Sequence, residues 1–192
     1  GESNLNPLVY YENNILTTIN LLNAMKSNKL NNLIFSSSCS IFGIVKKPLI
    51  DEKTKMKPIS PYAYSKMVCE EFIKNLNRTD GFKYFILRYF NAAGADVENE
   101  IGEFNEKHKR IIPEIIKSAV DEIPLTINGK DYETIDGTCV RDYVHITDIS
   151  EAHVLAVNYL LSHGDSHEIN IGSGKGTSIL EIVNKVESIL SK

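Results

Sequence analysis

Apolar and polar residues follow one another along the chain in two rhythms, one typical of helices and one typical of buried strands. Apolar side chains recur at helical spacing after Asn6 and again after Ser60. Residues 33–35 and 83–90 form nearly continuous apolar runs, as in strands that are covered on both faces of a parallel sheet. This order of helix, strand, helix and strand predicts an α/β protein with a doubly wound parallel sheet.

The second half of the chain has a less regular pattern. Residues 111–122 are expected to form a helix, and "PLTING" (124–129) is expected to form a strand that ends in a turn. Residues 140–146 are predicted to form a strand that enters a helix capped by Asp148. A further short strand is expected at "HEINIG" (167–172).

The stretch "SPYAYSK" (60–66) places two tyrosines close to one lysine. Residues four apart share a helix face, so Tyr62 and Lys66 are expected to be neighbours, whereas Tyr64 points elsewhere. A phenol ionises near pH 10, and a nearby ammonium or a helix N-terminus favours its anion. The same spacing also occurs on ordinary surface helices. The hydroxyls of Ser36–Ser38, at the end of the preceding strand, favour the catalytic interpretation.

Composition narrows the class of protein. Apolar content of 42% and charged content of 24% are those of a globular protein, and a net charge of −4 without a basic stripe argues against a nucleic-acid partner. No apolar run approaches the roughly 18 residues of a membrane span, and we identify no signal peptide. Three widely spaced cysteines, Cys39, Cys69 and Cys139, favour reduced thiols and a cytoplasmic location.

Two patterns resemble binding motifs without meeting their spacing. "GSGKGTS" (172–178) lacks the P-loop order of residues, and Ser178 with Glu181 is predicted to form a capping box instead. His163 and His167 are four apart, but Gly164 lies between them and no third ligand is near. We therefore expect no metal site.

Three motifs together resemble the extended short-chain dehydrogenase/reductase family, and the resemblance runs from Gly1 to about Lys185. The motifs are "SPYAYSK" (60–66), "LRYFNAAGA" (87–95) and "DGTCVRDYVHITDI" (136–149). The last two are specific to the epimerase branch of the family. Members that dehydrate nucleotide sugars carry an Asp-Glu pair where this chain has Cys39-Ser40, so dehydration is disfavoured.

The resemblance implies a Rossmann-like fold that uses NAD to interconvert UDP-glucose and UDP-galactose through a 4-keto intermediate. It implies that Tyr62 takes the proton of the sugar 4-hydroxyl and that Ser38 orients it. Lys66 would hold the nicotinamide ribose and lower the pKa of Tyr62. The residues implied for the cofactor are Tyr62, Lys66, Phe90 and Ser36, and those implied for the UDP-hexose are Ser38, Asn91 and Arg141. An ion pair of Arg141 with Asp142 or Asp136 remains an equal alternative.

The resemblance also implies an organisation into domains. Residues 1–91 and about 140–165 would belong to the NAD-binding domain, and about 92–139 and 166–192 to a smaller substrate-binding region. The family's glycine-rich cofactor loop and its C-terminal end match nothing in the chain, so we expect an incomplete protein. Where many members place an aromatic residue under the uracil, this chain has Asn128.

Family members usually dimerise, which implies a homodimer through the helices that open at Asn6 and at Tyr62. Two other functions remain open. One is a related epimerase that acts on an N-acetylhexosamine or a uronate. The other is a truncated, catalytically inactive fragment that only binds a nucleotide sugar.

Overall fold

The structure is a computed structural model that describes residues 2–46, 49–98, 100–103 and 110–190. The chain forms two compact units, Gly1–Phe90 with Ile149–Ile171 and Asn91–Asp148 with Gly172–Lys192. The predicted domain ranges concern ligand binding, which compactness alone does not test, and they stay a prediction. No helix in the described part of the chain has the length and apolar character needed to cross a bilayer.

The elements follow one another as alternating helices and strands. In chain order the helices are α1 (Glu2–Leu5), α2 (Pro7–Tyr10), α3 (Thr17–Ser27), α4 (Pro61–Asp80), α5 (Ile111–Asp121), α6 (Ile146–Ser162) and α7 (Ile179–Leu190). The strands are β1 (Asn32–Ser38), β2 (Lys83–Tyr89), β3 (Asn91–Ala93), β4 (Val140–His145), β5 (His167–Ile171) and β6 (Gly176–Ser178). A π-helical segment (Tyr11–Leu16) joins α2 to α3, and a 3-10 helix (Cys39–Phe42) follows β1.

The first unit is built on a parallel sheet in the order β1-β2-β5. Successive side chains of the central strand β2 point to opposite faces of the sheet, and side chains on both faces are buried. One face packs against α3 and α4 through Leu22, Met25, Ile73, Phe82, Tyr84 and Ile86. The other packs against α6 through Phe85, Leu87, Ala156 and Leu160. Helices on both faces confirm the predicted doubly wound α/β fold.

Helix α4 is capped at both ends. The Oγ of Ser60 accepts a hydrogen bond from the backbone N–H of Ala63 at 3.2 Å, and Pro61 occupies the first turn. At the other end, Gly81 adopts a left-handed conformation with φ of 67°. These caps fix the extent of the helix that carries Tyr62 and Lys66.

A fully buried ion pair joins α4 to the sheet. The Nε and Nη2 atoms of Arg88 on β2 donate to the two carboxylate oxygens of Glu70 on α4 at 3.1 and 2.8 Å. The Oγ of Ser37 on β1 donates to Glu70 at 2.6 Å. Both charged residues are 0% exposed and cannot be hydrated. Each charge is therefore stabilised by its hydrogen-bonded partner instead of by water. Sliding α4 along the sheet would break this pairing.

The second unit pairs β3 with β4 in parallel and β4 with β6 in antiparallel orientation. The predicted helix at 111–122 and strand at 140–146 are confirmed by α5 and β4. The predicted strand at 124–129 is wrong: these residues are described, and none is paired in a ladder. Apolar side chains alone do not make a strand, because its backbone also needs hydrogen-bond partners.

The predicted cap of α6 is also wrong. The helix begins at Ile146, so Asp148 lies within its first turn. The backbone N–H of Thr147 donates to Nδ1 of His145 at 3.2 Å, so a histidine ring nitrogen caps a first-turn N–H of this helix.

The predicted strand at 167–172 is confirmed by β5.

We expect Glu70→Gln to lower the free energy of unfolding by about 3 to 5 kcal/mol, because the substitution keeps the shape but removes the bidentate carboxylate and leaves the buried Arg88 guanidinium with only Glu168, 3.9 Å away. Urea unfolding of the protein measures the loss. The matched control is Glu71→Gln at the adjacent position, where the side chain is 51% exposed and pairs with Lys74. The control is expected to cost about 1 kcal/mol or less. Equal losses for the two variants would contradict the assigned role of Glu70.

Candidate active site

Three consecutive serines at the carboxyl end of β1 make three different contacts. The Oγ of Ser37 turns inward to Glu70 at 2.6 Å, and Ser37 is only 3% exposed. Ser36 and Ser38 lie on the other side of the strand, as the alternation of side chains requires. Ligands of parallel sheets bind at the carboxyl ends of strands, which is where these two hydroxyls lie.

Tyr62 is half-buried in the first turn of α4. Its ring packs edge-on against the ring of Tyr10, with 6.1 Å between centroids. Burial raises the pKa of Tyr62 above its ordinary value, a hydrogen bond with the Ser38 side chain lowers it, and Cys39 raises it. Tyr64, by contrast, is 48% exposed. The structure therefore brings Tyr62, and not Tyr64, to the hydroxyl of Ser38.

Lys66 lies one turn further along α4 and reaches the same strand. Its Nζ donates to the carbonyl oxygen of Ser36 at 3.0 Å and lies 5.1 Å from the centre of the Phe35 ring. Burial lowers the pKa of Lys66. The ammonium of Lys66 is thus held by the Ser36 carbonyl, and its predicted lowering of the pKa of Tyr62 stays a prediction.

Ser36 is fixed by a chain of hydrogen bonds that the sequence analysis missed. Its Oγ lies 2.9 Å from the hydroxyl of Tyr89, which lies 2.7 Å from Nε2 of His153. The Nδ1 of His153 is 2.7 Å from the carbonyl of Ile149, so in the neutral ring Nδ1 carries the proton and Nε2 accepts. Tyr89 and His153 are 64 positions apart, and no local spacing signals their contact.

Phe90 directly follows β2 and is half-buried. Its backbone N–H donates to the carbonyl of Ile171 at 3.0 Å, which carries the pairing of β2 with β5 one residue further. The ring thus stands at the carboxyl end of the central strand. Its predicted role beside a nicotinamide stays a prediction.

In the second unit, β3 and β4 bring together two residues named in the sequence analysis and one that it missed. Asn91 is the register partner of Tyr143, and its Nδ2 donates to the carbonyl of Asp142 at 2.9 Å. Arg141 lies two residues before Tyr143 on β4, so both side chains point to one face. Burial raises the pKa of Tyr143, and the charge of Arg141 lowers it. The alternation within β4 was the signal that could have identified Tyr143.

The two carboxylates that were alternatives for Arg141 have other partners. Asp142 accepts from the backbone N–H of Ser173 at 2.8 Å and from its hydroxyl at 2.7 Å. Asp136 accepts a hydrogen bond from Ser178, which is the largest cause of its lowered pKa. Within the described part of the chain no salt bridge includes Arg141, and its side chain is exposed. The ion-pair alternative is therefore wrong for this structure.

The glycine-rich segment from Gly172 has a structural role. The backbone N–H of Gly174 donates to the second oxygen of Asp142 at 2.8 Å, so this turn encloses a carboxylate of the same unit. The predicted capping box is confirmed, since Ser178 N–H donates to Glu181 at 2.7 Å and Glu181 N–H donates to Ser178 Oγ at 3.1 Å. The donors of this turn therefore go to carboxylates of the same unit, Asp142 and Glu181.

Comparison with known proteins gives a consistent result. A model of the NAD dependent epimerase/dehydratase family matches residues 1–172. A UDP-glucose 4-epimerase of Rhizobium meliloti is 41% identical over all of this chain, which covers 59% of that relative. A UDP-glucose 4-epimerase of Brucella ovis, crystallised in complex with NAD, is 42% identical with a TM-score of 0.93 over 98% of this chain and 58% of its own. A UDP-Glc/GlcNAc 4-epimerase of Campylobacter jejuni is 36% identical with a TM-score of 0.80 over all of this chain and 58% of its own.

The groups at the end of β1 have the chemistry to hydrogen-bond the hydroxyls of a ribose. Lys66 supplies an ammonium with three donors, and Tyr62 and Ser36 supply hydroxyls that both donate and accept. Ribose hydroxyls need such mixed partners. The side chains present therefore fit the cofactor that the Brucella ovis structure contains.

We expect Ser38→Ala to raise the pKa of Tyr62, because the variant lacks the hydrogen bond that now lowers it. The Tyr62 signal of protein labelled with ¹³C at the tyrosine ring, identified by its loss in Tyr62→Phe, reports the pKa directly. Since a tyrosine is neutral below its pKa, the phenolate should appear at higher pH in the variant. An unchanged or lower midpoint would show that Ser38 does not contact the phenol as described.

Proposed function

Because the chain belongs to the NAD dependent epimerase/dehydratase family, we propose that the complete protein interconverts UDP-glucose and UDP-galactose at C4 with bound NAD. The chain spans about 59% of the length of the first curated relative it matches, so the activity is proposed for the complete protein. The observation that carries the proposal is the half-buried phenol of Tyr62 beside Ser38, on the helix turn before Lys66, at the carboxyl end of a parallel strand.

The proton of the sugar 4-hydroxyl passes to the Tyr62 phenolate in this proposal. Ser38 hydrogen-bonds the 4-oxygen of the sugar and orients the proton that moves to Tyr62. When bound, NAD⁺ would supply a reversible acceptor for the hydride at C4. The 4-keto sugar would turn over in the site and take the hydride back on its other face, which inverts C4 and regenerates the cofactor. Tyr62 returns the proton to the oxygen at C4, which balances the reaction. The role of the protein groups is thus to bind, to orient and to move one proton.

Burial of Tyr62 makes its phenolate harder to form. It raises the pKa of Tyr62, so at neutral pH the free side chain is a phenol and not a phenolate. A positive charge close to the phenol is needed to bring its pKa down. The ammonium of Lys66, released from the Ser36 carbonyl to the ribose, and the cationic nicotinamide ring both supply such charge.

Asn91 and Arg141 are proposed to bind the UDP part of the substrate. Arg141 has an exposed guanidinium and no salt bridge in the described chain, and its planar fork suits the oxygens of a diphosphate. The Asn91 amide is held by the carbonyl of Asp142. A related activity on UDP-N-acetylglucosamine is the second candidate, because the Campylobacter jejuni relative is described as acting on both sugars.

We also propose that the complete protein forms a homodimer through α2, α3 and α4. Leu8 on α2 is 70% exposed and Leu16, just before α3, is 52% exposed, so this helical segment presents apolar side chains to its surroundings. The rings of Tyr11 and Tyr64 meet edge-on at 6.4 Å, which links the segment to the exposed side of α4. A second copy that covers this surface would bury these side chains.

A cytoplasmic location completes the proposal. It is supported by Cys39, Cys69 and Cys139, which no disulfide joins, as expected in a reducing compartment. Microscopy of the complete protein with a fluorescent tag tests it. A uniform cytoplasmic signal supports this location, and a signal confined to the envelope or the medium contradicts it.

We expect Tyr62→Phe in the complete protein to lower turnover of UDP-galactose by about 10² to 10⁴-fold, because the variant lacks the group that takes the proton. Tyr64→Phe, with an exposed ring on the same helix, is the matched control and should retain turnover. Bound NAD should persist in both variants. Full activity of Tyr62→Phe would end the proposal, and a complete protein without bound NAD would favour the inactive nucleotide-sugar-binding alternative.

For the dimer, we expect Leu8→Glu to give a monomer, since it places a charge in the middle of the apolar contact. Light scattering after size exclusion measures the mass. Leu161→Glu, at a 72% exposed position on α6 on the other face of the sheet, is the control that should leave the dimer intact. An unchanged mass for Leu8→Glu would place any interface elsewhere.

A further inference from the structure

We propose that His153 is a positioning residue that acts through the hydroxyl of Tyr89 and fixes the Ser36 oxygen as a hydrogen-bond acceptor toward bound NAD. The proposal deepens the proposed function and rests on it, because it takes the end of β1 as the cofactor site. The groups that carry it lie on three elements of one unit: the ring of His153 on α6, the phenol of Tyr89 on β2 and the hydroxyl of Ser36 on β1.

The direction of this chain of hydrogen bonds is set at a backbone carbonyl. The Nδ1 of His153 lies 2.7 Å from the carbonyl oxygen of Ile149. A carbonyl oxygen only accepts hydrogen bonds, so Nδ1 carries a proton. The opposite tautomer would place a ring lone pair against a carbonyl lone pair at this distance. In the neutral ring Nε2 is therefore unprotonated, and it can only accept.

The next two hydrogen bonds follow from the first. The hydroxyl oxygen of Tyr89 lies 2.7 Å from Nε2 of His153 and 2.9 Å from the Oγ of Ser36. Since Nε2 accepts, the one proton of Tyr89 goes to His153, and the Tyr89 oxygen accepts from Ser36. The single proton of Ser36 is thus bound within the protein. Its oxygen keeps two lone pairs on an exposed side chain, where a donor of a ligand can reach them.

The groups at both ends of the chain are held independently of its hydroxyls. Ser36 is paired with Leu87 in the ladder of β1 and β2, and its carbonyl accepts from Nζ of Lys66 at 3.0 Å. The ring of His153 packs on the ring of Tyr89, with 5.7 Å between centroids. Among the residues that the structure describes, none forms a salt bridge with His153, so no carboxylate there holds the ring in its charged form.

A fixed acceptor at Ser36 complements the ammonium of Lys66. An ammonium has three donors and no acceptor, so it can bind the oxygens of the cofactor but not its O–H and N–H groups. A serine that is free to turn can present either its proton or a lone pair. The chain from His153 removes that choice, and Ser36 can then accept from a hydroxyl or amide donor of NAD without first reorienting.

The protonation of the ring can be observed without turnover. In the complete protein labelled with ¹⁵N at histidine, protonated and unprotonated ring nitrogens differ widely in chemical shift, and the His153 signals are those lost in His153→Phe. We expect a protonated Nδ1 and an unprotonated Nε2 above the pH at which the ring is neutral. A neutral ring with its proton on Nε2 would overturn the proposal.

His153→Phe tests the effect on the cofactor, with NADH as the probe and its fluorescence as the signal. The variant keeps a flat ring but removes the acceptor of the Tyr89 proton, which should turn to the Ser36 oxygen 2.9 Å away. Ser36 would then point its own proton at the cofactor, so the dissociation constant for NADH should rise by about 3- to 10-fold. His163→Phe, at an exposed histidine just beyond α6, is the matched control and should leave binding unchanged.

Tyr89→Phe separates a directed hydrogen bond from a merely structural contact. Without the Tyr89 hydroxyl, Ser36 can again turn and accept, so Tyr89→Phe should restore NADH binding in the His153→Phe background to within about 3-fold of the unsubstituted protein. If both rings only supported the fold, the two losses would add. Additive losses, or unchanged binding in His153→Phe alone, would overturn the proposal.

These readouts distinguish the proposal from the proposed function. A complete protein that binds NADH as expected but epimerises no nucleotide sugar would contradict the proposed function and leave the role of His153 supported. An active protein in which His153→Phe has no effect on NADH binding would contradict the role of His153 alone.

Discussion

The buried pair of Glu70 and Arg88 is the constraint on which the first unit depends. Both side chains are fully buried, and two hydrogen bonds join them between helix α4 and the central strand. Arg88 also lies over the ring of Phe42, 5.6 Å from its centre, which supports the guanidinium from the side of the 3-10 helix. Charges removed from water allow few alternative arrangements, because any shift leaves one of them unpaired. The position of α4 on the sheet is therefore set by chemistry rather than by apolar contact alone.

The pair of Glu70 and Arg88 also fixes the geometry of the candidate site. Lys66 lies one helical turn before Glu70 and Tyr62 two turns before it, so fixing Glu70 places both on the side of the strand end. Ser37 donates inward to Glu70. Since side chains alternate along β1, Ser36 and Ser38 point to the opposite side from Ser37, toward the candidate site. There the side chain of Ser38 contributes to the pKa of Tyr62.

The sequence predicted those helices and strands that a single local pattern of residues determines. The helical spacing after Ser60 predicted α4, and the nearly unbroken apolar run at 83–90 predicted β2. It failed at 124–129, where a strand needs a partner that no local pattern reveals. It also missed contacts between distant positions, such as the pairing of Arg88 with Glu70 and of Tyr89 with His153. Arg88 stood in a buried run, and an arginine there was a signal that a carboxylate had to be near.

The hydrogen bonds inside the turn after β1 lie beyond a sequence pattern for a similar reason. Ser40 differs from any other polar residue after a strand only because the 3-10 helix turns its hydroxyl and its N–H to one oxygen. The same turn ends at Gly43, whose φ of +67° is one that residues with a Cβ rarely adopt. Local backbone geometry thus converts a common triplet of small residues into a defined arrangement of donors.

The most direct measurement uses UDP-glucose that carries deuterium at C4, incubated with the complete protein in ordinary water. If the Tyr62 site oxidises and re-reduces C4 within one bound complex, UDP-galactose should form and keep its deuterium at C4. Product that has exchanged deuterium for hydrogen from the solvent, or no galactose at all, would contradict the chemistry assigned to this site.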